Sequence, residues 1–204
     1  MSAAAAATAR DALRAATDAI HARLHGLPAL QALAEGRIGR AGYVALLRRL
    51  LGFHAAVEAA LADAPSLGPS LIPWGIDIAQ RRRAGLIEAD LATLGAALGA
   101  SAGPVPLAPL PALGTVPRAL GCLYVTEGST LGGRQLARAL DGLLPPGEAG
   151  RRFLLGHGAR HGAMWRACCA ALEHCGAEPA RRAEMLAAAE ATFLAFEAWF
   201  AGAP

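Results

Sequence analysis

Apolar residues recur along most of this chain at three- and four-residue steps, the spacing of amphipathic helices. Leu13, Thr17, Ile20, His21 and Leu24 form one such stripe. It predicts a first helix from Thr8 or Arg10 to His25, with His21 on the core-facing side. Gly26-Leu27-Pro28 ends that helix, and a short apolar element follows through Ala34. Arg40 to Ala62 reads as a long helix burying Tyr43, Leu46, Leu47, Leu50, Leu51, His54, Val57 and Leu61. Pro65 to Pro73 reads as a loop, and Trp74 to Leu98 as a helix whose Arg81-Arg82-Arg83 and Glu88-Ala89-Asp90 form a solvated face. After a proline- and glycine-rich connection from Gly99 to Thr115, helices are expected from Pro117 to Leu140, Glu148 to Gly156 and Arg160 to Cys175. A closing helix, Pro179 to Phe200, turns Met185, Phe193, Phe196 and Trp199 inward.

The segment Tyr124-Val125-Thr126-Glu127-Gly128-Ser129-Thr130-Leu131-Gly132-Gly133-Arg134-Gln135 breaks this pattern, with three glycines inside one helical period. Each interior glycine costs about 0.5–1 kcal/mol relative to alanine, so the segment gives up roughly 2–3 kcal/mol. At about 100° per residue, Gly128 and Gly132 stack with Gly133 beside them, leaving a bare face that can bend. Ser129 sets a hydroxyl beside it. Such a face admits either a flat ligand or the backbone of another helix, and spacing alone does not separate the two.

Composition narrows the class. The 204 residues are 54% hydrophobic, much of that alanine, with few β-branched or aromatic side chains, which favours an all-α fold. No compositional break divides the chain, so one helical domain is expected over residues 10–204, behind an alanine-rich, disordered tail at 1–9. All 19 basic residues are arginine and the net charge is only +3, which implies neither nucleic acid nor a membrane surface as partner. The start lacks the basic and leucine-rich parts of a signal peptide, so a cytoplasmic protein is expected. Cys122, Cys168, Cys169 and Cys175 form no CxxC pair and read as buried reduced thiols rather than zinc or iron–sulfur ligands. His54 with Glu58 reads as structural for want of a matching helix, and His157 with His161, among Gly156, Gly158 and Gly162, as a helix junction.

Two runs together are more specific. Leu13-Arg14-Ala15-Ala16-Thr17-Asp18-Ala19-Ile20-His21 resembles the first helix of the haem oxygenase family, a Leu-basic-x-Ala-Thr-x-x-x-His run ending in the proximal iron ligand. The stretch from Gly128 to Gly133 resembles that family's kinked distal helix. The local form looks closest to bacterial members, including those that accompany bacterial phytochromes. The resemblance implies a fold with haem b between the two helices, and opening of haem to biliverdin with release of CO and ferrous iron. That reaction consumes O2 and electrons from an external electron donor. The resemblance makes His21 the metal ligand, and Arg14 and Arg166 the groups that hold haem propionates. Gly128, Gly132 and Gly133 become the steric wall of the catalytic face, and Ser129 the anchor for waters that deliver protons. Many relatives carry an aspartate at the Ser129 position and a glutamate at that of His25. A second histidine there is expected to compete for iron or orient His21. Without a dinucleotide fingerprint, electrons are expected from a separate reductase or ferredoxin, and a bilin-accepting phytochrome is a candidate partner. A haem chaperone, store or sensor that never degrades its ligand is the alternative.

Overall fold

A computed structural model describes residues 7–95 and 105–202, and all regular structure in them is helical. Helix α1 (Ala9–Leu24) opens on a reciprocal cap: the Thr8 hydroxyl accepts from the Asp11 amide at 3.1 Å, and the Asp11 carboxylate accepts from the Thr8 amide at 3.3 Å. Ala9 is fully buried, so ordered structure starts inside the expected 1–9 tail, of which residues 1–6 lie outside the described part. The reason is tertiary. The Glu173 carboxylate accepts from the Ala9 and Arg10 amides at 2.8 and 3.1 Å, pairing donors that a helix start leaves free.

Helices α2 (Pro28–Ala34) and α3 (Arg40–Ala62) follow as the pattern predicts, and all eight apolar-face residues expected of α3 are buried. The next region departs from expectation. The supposed loop holds α4 (Leu67–Leu71) and a 3-10 turn at Ile72–Trp74, closed by Gly75 at φ +75°. The supposed long helix from Trp74 is instead a 3-10 turn at Ala79–Arg81 and the shorter α5 (Ala84–Thr93), and its expected end at 96–98 lies outside the described residues. Its "solvated" charges are largely buried: Arg81, Arg83 and Asp90 are inside. Two carboxylates explain the rearrangement. Glu58 accepts from the Arg83 and Ala84 amides at 2.6 and 2.8 Å, starting α5, and Asp90 accepts from the Arg152 and Phe153 amides at 2.9 Å each.

Residues 105–114 of the expected connection carry no regular structure. Helix α6 (Val116–Gly128) then begins with Thr115 as its cap and Pro117 in the first turn. It does not continue as one α-helix through the glycines: a 3-10 turn at Ser129–Leu131 separates it from α7 (Gly133–Ala139). Helix α8 (Arg152–Leu155) is only four residues, shorter than expected, because Gly150 at φ +81° and Gly156 at φ +61° bracket it. Helices α9 (His161–Gly176) and α10 (Pro179–Ala201) complete the chain.

α10 is the post on which α1 and α6 both lie. Gly121 lets α6 approach: a Cβ there would meet the Met185 carbonyl oxygen at 2.4 Å and the Ala188 Cβ at 3.0 Å. One apolar cluster joins α1, α6, α9 and α10 through Leu13, Leu120, Cys122, Leu172 and Met185. A second joins α3, α5, α7 and α8 through Tyr43, Leu47, Ile87, Leu91, Ala137 and Phe153. The cysteines are free thiols, three of them buried, and burial pushes the Cys122 and Cys168 thiols up to about 12. No helix among the described residues is long and apolar enough to cross a membrane.

Candidate functional site

α1 and α6 run in the same direction along α10 yet scarcely touch each other. Contacts along α10 set their registers. On α6, Arg118 pairs with Glu184 and Gly121 packs at Met185–Ala189. On α1, the His21 ring lies 6.0 Å from that of Phe193, and Arg23 pairs with Glu197. His21 therefore stands near the end of α10 toward which α6 delivers its glycines. α9 spans the same gap in the opposite sense, with Glu173 at the start of α1 and Trp165 over Gly128. α1 and the glycine kink thus share α10 and α9 as common neighbours.

His21 is exposed, not on the core-facing stripe that its spacing predicted: Leu13, Thr17, Ile20 and Leu24 take the buried side and His21 falls at its edge. Partial burial and the neighbouring His25 hold its imidazole below the usual histidine range, with Asp18 opposing. A neutral ring with a free nitrogen lone pair is favoured, the form that binds a metal. The His25 ring sits edge-on, centroids 4.8 Å apart at 89°. That contact is a T-shaped pair.

The three glycines have different surroundings. A Cβ on Gly132 would meet nothing within 4 Å, and one on Gly128 would make ordinary contact with the Trp165 indole at 3.8 Å. Gly133 is buried, and a Cβ there would lie 2.1 Å from the Leu154 carbonyl oxygen. The bare face thus divides: Gly132 is uncovered and Gly128 lies beside Trp165, while Gly133 serves close backbone packing of α7 on α8. Expecting all three on one ligand face required an unbroken α-helix, and the 3-10 turn rotates Gly133 away.

Among protein-family models, none matches the chain. A curated haem oxygenase from Xanthomonas campestris pv. campestris (strain 8004) is 33% identical over 172 residues, 82% of this chain and 93% of that protein. The chain belongs to the haem oxygenase family. Solved structures agree. Haem oxygenase from Neisseria meningitidis, determined with NO and CO bound, matches at a TM-score of 0.72 and 26% identity over 96% of this chain and 91% of that one. Two more share the fold: haem oxygenase from Leptospira interrogans (TM-score 0.76, 16% identity, 97% and 100% covered) and haem-bound haem oxygenase-1 from the cyanobacterium Synechocystis sp. PCC6803 (0.71, 17%, 96% and 91%).

The residues present fit a haem on chemical grounds: an exposed imidazole held toward its neutral form on α1 and an uncovered glycine at the kink. Arg14 and Arg166 are exposed, and no ion pair ties up either guanidinium among the described residues. Ser129 is exposed but its hydroxyl is engaged, donating to the Thr126 carbonyl at 2.7 Å and accepting from Arg83 Nη1 at 3.2 Å. Among the described residues no group of three or more His, Cys, Asp or Glu side chains is arranged to hold a metal ion.

A charged cluster behind the kink escaped the sequence reading. The Arg81 guanidinium stands 3.0 Å from Glu127, with both side chains buried. Nη1 and Nε of Arg81 nevertheless lack an aligned acceptor, so the contact is an ion pair more than a hydrogen bond. His157 Nε2 lies 3.2 Å from the other Glu127 oxygen. Thr130 donates to the Glu127 carbonyl at 2.6 Å and stands 3.0 Å from His161 Nδ1. His157 and His161 do sit at a helix junction, and they brace the kink from it. One signal was available in the sequence: Glu127 interrupts an apolar run and needs a buried partner.

Proposed function

We propose that this chain opens haem to biliverdin with release of CO and ferrous iron, with His21 as the residue that would hold the iron. The reading takes the space between α1 and the kink as a haem groove; what supports it is an exposed imidazole on α1 and the uncovered Gly132 at the kink, on two helices that both pack along α10. Haem would be both substrate and source of the redox chemistry when bound, with O2 as co-substrate and a separate reductase or ferredoxin as electron donor.

The residues of the chain supply position and protons. His21 holds one face of the macrocycle through a ring nitrogen. Gly128 and Gly132 let the other wall come close, so that little room is left for attack in more than one direction. Arg14 and Arg166 take the propionates as charge-assisted pairs and fix the in-plane rotation, hence which meso carbon faces the attack. Ser129 anchors a water: its own proton is directed at Thr126, so it accepts from that water and aligns the water's second proton with the groove.

Hemin titration followed by reduction in air tests the reading. A one-to-one Soret band should form and then collapse, with ascorbate or a ferredoxin–reductase pair, into a broad biliverdin band insensitive to catalase. His21→Ala should lose the ligated spectrum. A Soret band that survives reduction in air would make the chain a haem carrier or sensor instead.

A further inference from the structure

The kink itself is held from behind by two arginines of one triplet. Arg83 enters from the start of α5, where its own amide is fixed by Glu58 at 2.6 Å. Its guanidinium lies over the Phe153 ring, 4.1 Å from the centroid, and donates from Nη2 to the Phe153 carbonyl at 3.1 Å. Nη1 reaches the Thr126 carbonyl at 3.0 Å and the Ser129 hydroxyl at 3.2 Å. Arg81 meets the Glu127 carboxylate between those two positions. Residues 126, 127 and 129 are thus gripped at the point where α6 gives way to the 3-10 turn. A kink frees backbone carbonyls, and a buried cation is a strong partner for them. Burial lowers the Arg83 guanidinium to about 10, with Glu127 and Glu58 opposing, so it stays charged at neutral pH.

We propose that Arg83 is a positioning residue for the reaction: it fixes the Thr126–Ser129 kink and, by donating to Ser129, makes that hydroxyl an acceptor toward the groove. The exposed hydroxyl has two lone pairs and one proton. Arg83 takes one lone pair, Thr126 takes the proton, and the remaining lone pair is the only polar feature Ser129 can offer a distal water. Without Arg83, the hydroxyl keeps only its bond to the Thr126 carbonyl, and the kink keeps only the Arg81–Glu127 contact and the bonds of Thr130. The proposal rests on the reading of the groove as a haem oxygenase site, but the brace is testable without haem.

The test compares wild type, Arg83→Met, Arg83→Lys, Ser129→Ala and the Arg83→Met/Ser129→Ala double variant. In hemin-free protein, amide hydrogen exchange across residues 126–133 should be about tenfold faster in Arg83→Met and largely restored in Arg83→Lys. In hemin-loaded protein, Arg83→Met should turn over about tenfold more slowly and give a mixture of biliverdin isomers, by chromatography, in place of the wild-type product. Ser129→Ala should shift the isomers in the same direction, and the double variant should be no worse than the worse single. Unchanged exchange and an unchanged isomer ratio in Arg83→Met, with only a lower melting temperature, overturn the proposal, as does full additivity in the double variant. If wild type fails to convert hemin, the proposed reaction is wrong and the exchange data alone decide the brace. If Arg83→Met does not fold, an isomer ratio unchanged in Ser129→Ala overturns the proposal.

Discussion

Gly132 and Gly133 are adjacent in sequence, yet alanine at the two should act in opposite directions on the hemin-free protein. At Gly133 a Cβ would lie 2.1 Å from the Leu154 carbonyl oxygen and 3.1 Å from its carbon. Those atoms are backbone and cannot swing aside. Overpacking of this kind costs about 1–3 kcal/mol, with the backbone obstacle favouring the upper part of the range. At about 2–4 °C per kcal/mol for a chain of this size, the melting temperature of Gly133→Ala should fall by roughly 4–10 °C. At Gly132 a Cβ meets nothing, and φ −84° with ψ −10° suits any L-residue. Losing the freedom of the unfolded glycine should stabilise Gly132→Ala by about 0.5–1 kcal/mol, or roughly 1–3 °C. Hemin binding should reverse the order of harm, because in the proposed site the new methyl of Gly132→Ala would meet the ligand. Affinity there should drop about tenfold, some 1.4 kcal/mol. Thermal unfolding without hemin and Soret titration with it are the two assays. Equal destabilisation of both variants without hemin would refute this division of the glycines.

Three further outcomes follow from named contacts. Glu58→Ala removes the acceptor of the Arg83 and Ala84 amides and a counter-charge of Arg83, and should cost about 1–3 kcal/mol in urea unfolding; a loss near zero would mean that α5 starts without it. His54 is buried against Phe153, and burial, with Arg83 adding to it, holds its ring well below 6.5. The unfolded chain then takes up a proton below pH 6.5 that the fold refuses, so stability should fall as pH drops through that value, by up to about 1.4 kcal/mol per unit. Hemin-free His54→Leu should flatten this slope between pH 6.5 and 5, and an unaltered slope would place the proton elsewhere. His21→Ala should abolish the ligated Soret spectrum while leaving the melting temperature nearly unchanged, since the His21 side chain is exposed.

The candidate site was legible in halves. His21 and the glycine segment stood out because a histidine at the end of an amphipathic stripe and glycines inside a helix are local anomalies. Their placement along one support depends on α10, which gives both helices a common seat. Arg81 and Arg83 were misread because an arginine triplet carries no local sign of burial. Only the approach of Phe153, Thr126, Ser129 and Glu127, from other parts of the chain, gives those cations partners.

Local pattern by itself fixed the helical class, the end of α1 and the bounds of α3 and α10, because propensity, caps and a 3.6-residue apolar period act within a few turns. Tertiary structure decided where helices stop short, which charges go inside and which glycine packs against backbone. Glu58 and Asp90 begin two helices from a distance, and the Leu154 carbonyl turns Gly133 from a ligand wall into a packing contact. Burying a charge or omitting a side chain is favourable only against a particular neighbour, and that neighbour is set by the fold rather than by the adjoining residues.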